Sequence, residues 1–191
     1  VLFRSAEERI EGYRHFVNKI WNASRLAMMH CGDYAPGFPP AEERGLKDRW
    51  ILSRLNRVIG EVTAALDEYR FNDAAHHLYQ FFWHEFCDWY LEMAKLQLYR
   101  KGTAERLSTQ QVMLGVLKAV LEMLHPVMPF VTEEIWQLLP NKTGESIVVA
   151  PFPCADTACI DETAEQDMAV ITEAVTALRN IRSEMNVPPS S

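Results

Sequence analysis

A chain of 191 residues, 48% hydrophobic and 24% charged, has ordinary globular composition, which excludes disordered, collagen-like and fibrous classes. No window approaches about eighteen consecutive apolar residues and no charged leader runs into an apolar stretch and a small-residue cleavage site, so the chain is expected to be soluble, intracellular and cytoplasmic. The net charge of -7 excludes indiscriminate coating of nucleic acid, which needs an overall positive field, and allows only a local nucleic-acid site.

Apolar residues recur at helical spacing along almost the whole chain, so the predicted fold class is all-α, a helical bundle with one short extended connector. The first helix is predicted from Ala6 to His30, its buried face marked by Tyr13, Phe16, Val17, Ile20, Trp21 and Leu26. Glycine and proline between Gly32 and Gly45 make that segment a loop. The second helix spans Leu46 to Tyr69 with a stripe of Ile51, Leu52, Leu55, Val58, Ile59, Val62 and Leu66. The third, from Asp73 to Arg100, gathers Leu78, Tyr79, Phe82, Trp83, Phe86, Trp89, Tyr90, Met93 and Leu96 on one wide face, which suits a central position. Asn72 or Asp73 is its expected cap.

Lys101-Gly102 ends that helix, and Ser108 with Gln111 reads as a capping box opening a fourth, which is apolar almost all round to Leu124. After His125-Pro126 and Met128-Pro129, a short helix runs through Phe130 to Leu139. Ser146 to Pro153 is the extended connector, because Ile147-Val148-Val149 is β-branched and bounded by prolines. The last helix, Asp161 to Met185, carries acids early and Arg179 and Arg182 late, which complements its macrodipole, and Val187-Pro188-Pro189 stops it.

Chemistry is sparse. The sequence has no phosphate-cradling G-x-x-x-x-G-K-[ST] or G-x-G-x-x-G, no H-E-x-x-H and no G-x-S-x-G. Cys31, Cys87, Cys154 and Cys159 fit neither a C-x2-C zinc hook nor a disulfide scaffold, and are expected as free thiols. His77, His84 and Asp88 share a polar face of the third helix, but such a pair one turn apart is read as surface hydrogen bonding, with no metal site assigned. Arg44, Lys47, Arg49, Arg54 and Arg57 form a positive island against one acid, Asp48. Trp50, Arg54 and Arg57 lie on one ridge, which offers an aromatic ring and guanidinium forks to phosphates and bases, or is a solvated flank with Arg57 paired to Glu61 and Trp50 half buried. Arg70 and Phe71 precede the third helix, where free N-H groups suit a phosphate or splayed base, unless Phe71 only staples the helix entry.

Several runs resemble a known family. Glu11-Gly12-Tyr13-Arg14 with Asn18-Lys19-Ile20-Trp21-Asn22-Ala23 resembles the helix leaving the catalytic domain of valyl-tRNA synthetases. Asp48-Arg49-Trp50-Ile51-Leu52 is similar to the start of the anticodon-binding helical domain of class Ia aminoacyl-tRNA synthetases. Phe86-Cys87-Asp88-Trp89-Tyr90-Leu91-Glu92 is the run that separates the valyl family from its isoleucyl and leucyl siblings. His125 to Trp136 and Arg179 to Asn186 extend the resemblance, which covers residues 7 to 189. The signatures of H-x-G-H and K-M-S-K-S type that hold ATP in this family are absent, and so are the editing domain and the C-terminal coiled coil.

The resemblance implies a fragment of an ATP-dependent valine-tRNA ligase that supplies tRNA docking and carries no catalytic residue. Its expected organisation is a non-native leader at 1–5, reading like a translated sequencing adapter, then an exit helix and loop at 6–45, the anticodon-binding bundle at 46–140, a connector at 141–160 and a closing helix at 161–187. The expected partners are the anticodon stem-loop of valine tRNA and the missing catalytic domain, which would hold ATP and magnesium, and the expected state is a monomer. Trp50, Arg54, Arg57, Arg70 and Phe71 are the expected tRNA contacts. The alternatives are a sibling isoleucyl or leucyl fragment and a helical protein-interaction module, whose binding would not fall steeply with salt.

Overall fold

The computed structural model describes residues 2–187, with side chains from residue 11 onward. The leader reading for residues 1–5 and the Pro188-Pro189 stop lie outside the described side chains. The elements are α1 (Leu2–Met29), α2 (Leu46–Asp67), α3 (Phe71–Tyr79), a π-helical segment (Gln80–Tyr90), α4 (Leu91–Leu98), α5 (Ala104–Leu124), α6 (Pro129–Leu138) and α7 (Glu162–Glu184). Among the described residues there is no strand, and no helix is long and apolar enough to cross a membrane.

Helix α2 is the hub, in contact with α3, the π-helical segment, α5 and α7. Its predicted stripe is buried from Ile51 through Val62, with Leu66 packed at the margin. Helix α5 is buried on nearly every side, as its unbroken apolar run requires. The predicted third helix is one continuous rod whose middle turns are π-wound. Each π turn takes an extra residue, so a face predicted at 3.6 residues per turn drifts along the rod. Leu91, Ala94 and Leu98 are buried as a result, while Leu96 is 69% exposed. Along the wound segment Phe82, Phe86 and Tyr90 stack at 5.7 Å and 5.6 Å between ring centroids, and Phe16 of α1 meets Phe82 edge-on at 5.9 Å.

The stack ends on a buried charge. The Tyr90 hydroxyl donates to Asp48 Oδ1 at 2.7 Å, and Lys47 Nζ donates to Asp48 Oδ2 at 2.7 Å. A buried carboxylate without such partners would be costly. Asp48 therefore fixes the start of α2 against the rod, and burial together with Asp48 raises the Tyr90 hydroxyl well above its usual pKa.

Several expectations are corrected. The cap of α5 is Thr103, whose hydroxyl accepts from the Arg106 N-H at 3.2 Å, because Gly102 at φ +77 ends the previous helix. Ser108 lies buried inside α5 instead. Neither Asn72 nor Asp73 caps α3, which begins at Phe71 after Arg70 with no side-chain cap bond. The β-branched triplet inside the connector is not extended: Ile147–Val149 form a 3-10 turn capped by Ser146, between extended Ser146 and Ala150, with Ile147 buried and Val148 and Val149 exposed. A single β-branched triplet between prolines has no neighbouring strand to complete its hydrogen bonds. On α1, Tyr13 (69%) and Trp21 (42%) are exposed, because the buried stripe runs through Phe16, Ile20, Ala23 and Ala27 at spacings of three and four.

The loop after α1 is tied to α5. Arg106 donates to both carboxylate oxygens of Asp33, at 2.8 Å and 2.7 Å, and Gln110 donates to one of them at 2.7 Å. Those two partners hold the Asp33 carboxyl far below the usual carboxylate range. All four cysteines are free.

Candidate nucleic-acid interface

The positive island of α2 is largely turned inward. Arg44 donates to the Pro39 carbonyl at 2.9 Å and lies 4.8 Å from the Phe38 ring, and Lys47 is bound to Asp48 and to Thr109 Oγ1 at 2.9 Å. Arg49 meets Asp161 at 2.7 Å. Arg54 makes a two-pronged contact with Glu85 at 2.8 Å and 3.0 Å, and Arg57 donates to Glu165 at 2.8 Å. Arg57 therefore pairs with Glu165 and, at 3.5 Å, Glu162, while Glu61 faces His77 at 3.2 Å.

These pairs clamp α7 onto α2. Ser53 joins the clamp by donating to Glu165, and Asp161 caps α7 by accepting from the Ala164 N-H at 2.9 Å. Burial alone would raise the Glu165 carboxyl, but the Ser53 hydroxyl and the Arg57 and Arg54 guanidinia outweigh it and hold it below its usual value. Hydrogen bonding to Glu85 raises Arg54, and hydrogen bonding to Glu165 raises Arg57. Trp50 is 7% exposed, so its ring offers no face on which a base could stack. A phosphate reaching Arg54 or Arg57 would compete with carboxylates already in place.

The corner between α2 and α3 is different. Tyr69 is 80% exposed and Phe71 59% exposed, and their rings stand 6.2 Å apart at 82°. The backbone sets this display. Tyr69 has φ +58, the left-handed conformation that usually closes a helix on glycine, and the Arg70 N-H reaches back to the Ala65 carbonyl at 2.7 Å. A side chain in this region costs roughly 1 to 2 kcal/mol, so the chain carries strain where it turns.

Arg70 is held between Glu68 at 2.7 Å and Asp73 at 2.6 Å, with its side chain still 46% exposed. The corner thus brings together Arg70 and Phe71 as the sequence suggests, adds Tyr69, and separates both from Trp50, Arg54 and Arg57. Phe71 contacts Tyr69 and is not buried as a staple. Two rings and carboxylates at one turn suit a base, by stacking and by accepting from an exocyclic amino group, better than a phosphate. Tyr69 carried no sequence signal, since only the backbone turn reveals that it points outward.

Residues 48–191 match the family described as the anticodon-binding domain of tRNA ligase. The chain belongs to this family. It is 47% identical over 183 residues to the valine-tRNA ligase of Carboxydothermus hydrogenoformans, covering 96% of this chain and 21% of that protein. Against the valine-tRNA ligase of Thermotoga maritima the identity is 48% over 180 residues, with 94% and 20% covered. For that of Bacillus licheniformis it is 46% over 188 residues, with 98% and 21% covered. The chain therefore spans about a fifth of the length of the relatives it matches. Among solved structures, the ternary complex of LeuRS, tRNA and LeuAMS from Agrobacterium radiobacter K84 matches with a TM-score of 0.56 at 20% identity, covering 78% of this chain and 17% of that one. At that identity the match shows a shared fold.

The runs that carry the resemblance largely perform structural work in this anticodon-binding domain. Asp48 anchors Tyr90, Arg49 ties α7, and Trp50 fills the core. Asp88 accepts from Lys19 of α1 at 2.7 Å, and the Arg179 guanidinium lies 5.1 Å from the Trp89 ring. His125 and Thr132 meet at 2.8 Å across the turn into α6.

Proposed function

We propose that this chain is the tRNA-docking part of a valine-tRNA ligase and that the α2–α3 corner holds the anticodon loop of valine tRNA. The observation that carries the reading is the outward display of Tyr69 and Phe71 around Arg70, on a domain whose family is defined by anticodon binding. An unstacked loop base finds a ring to lie on and polar groups for its edge.

Arg54 and Arg57 act at one remove in this reading. They hold α7 and the rod in place, and any phosphate contact they make is secondary to those ion pairs. Attachment of valine, with the ATP and magnesium it uses, belongs to the rest of the ligase.

The test is tRNA binding by Phe71→Ala. Loss of one stacking contact of roughly 1 to 3 kcal/mol should weaken valine tRNA by about ten- to a hundredfold and narrow the difference between valine and non-valine anticodons. His84→Ala, on the polar face of the rod beside Asp88, should bind as the parent does. Parent-like binding by Phe71→Ala, with discrimination intact, would remove the anticodon loop from this corner.

A further inference from the structure

The run Glu11-Gly12-Tyr13-Arg14 is not used by the α2–α3 corner, yet it borders a groove of its own. This groove of about 720 Å³ lies between α1 and α3 and reaches the end of α5, with Gly12, Tyr13, Asn72, His76 and Tyr79 among its lining residues. Asn72 directly follows Phe71, so the groove opens beside the proposed anticodon-loop site.

The composition of the walls is specific. Tyr79 is backed by a fixed aromatic layer, with ring centroids 5.2 Å from Phe16 and 5.4 Å from Trp83, while Tyr13 projects from α1 at 69% exposure. Asn72 and His76 make no side-chain hydrogen bond within the described residues. No carboxylate is among the described residues that line the groove, although the chain carries 26 acidic residues and a net charge of -7. A Cβ at Gly12 would meet nothing within 4 Å among the described residues, so the α1 wall is open at that point.

Aromatic walls and free polar groups able to meet a base edge are the features by which a protein receives a single unstacked base. An apolar partner helix would leave Asn72 and His76 unpaired when it covered them, at a cost. We propose that the α1–α3 groove seats one unstacked base of the bound tRNA, with Tyr13 and Tyr79 supplying ring faces and Asn72 and His76 supplying edge contacts. This rests on the tRNA-docking reading and assigns a second, separate seat to the same ligand.

Gly12→Leu gives a direct test, because its side chain would enter the groove and leucine favours the helix more than glycine does. The measurement is affinity of the 191-residue chain for valine tRNA, with thermal melting of each variant. The expected result is a Tm equal to or above the parent's and an affinity at least about tenfold lower, with Tyr13→Ala weakening binding similarly. If the parent binds and both variants bind equally well, the groove assignment is overturned and the corner stands. If the parent fails to bind any tRNA, the tRNA-docking reading falls and the groove with it. If the variants lose affinity while Phe71→Ala does not, the groove stands and the corner assignment falls.

Discussion

Tyr69 illustrates how a single residue can trade stability for display. Its left-handed backbone would be unstrained in glycine, so Tyr69→Gly should stabilise the fold by about 1 kcal/mol, read as a rise in Tm, while removing a ring from the proposed tRNA surface and weakening binding. A Tm below the parent's would show that the tyrosine side chain contributes packing that its exposure hides. Glu122 is a second residue with a legible consequence. Burial pushes its carboxyl up to about 7 against the opposing pull of Lys118, whose Nζ stands 3.8 Å away. The folded state keeps a proton that the unfolded chain releases near its ordinary value of 4.5, so this group makes stability fall as pH rises from there to about 7. Glu122→Gln should therefore raise Tm over the parent at pH 8 and leave it unchanged near pH 4. An equal effect at both values would mean that packing, and not ionisation, is being measured.

At the scale of elements, α7 is held in an unusual way. It buries only Ala164 and Met168, and its N-terminal half is fastened to α2 by Arg49, Ser53, Arg54 and Arg57 through Asp161, Glu162 and Glu165. Glu165→Ala removes the shared acceptor of Ser53 and Arg57 and should cost about 1 to 3 kcal/mol, seen as earlier unfolding in denaturant. Because the Glu165 and Asp33 carboxyls are both depressed, their contributions are complete above the ordinary carboxylate range and are lost as pH falls through their lower folded values. Acid should therefore loosen α7 and the loop after α1, and Glu165→Ala should flatten part of that acid limb. An acid limb identical in parent and variant would place the sensitivity elsewhere.

For the molecule as a whole, the bundle was readable wherever a stripe meets the core. The α2 and α5 patterns place their own buried residues because apolar spacing is a local property. What could not be read depends on partners distant in sequence. The basic island looks the same whether it faces RNA or a helix more than 100 residues later, and only the fold shows that Glu165 lies against Arg57. Trp50 resembled a stacking ring because a wheel cannot say which side of α2 will be covered. The π winding shifted the rod's face without any single residue announcing it, and Tyr69 became visible through a backbone angle. The exposure of Arg70 and Phe71 is legible because they stand at a turn, where local sequence decides it. Cross-linking decides whether this corner meets the anticodon loop. With p-azidophenylalanine placed at position 71, irradiation of the complex with valine tRNA should attach the chain to an anticodon-loop nucleotide. Attachment to the acceptor arm or elsewhere outside that loop, or efficient binding with no cross-link, would contradict it.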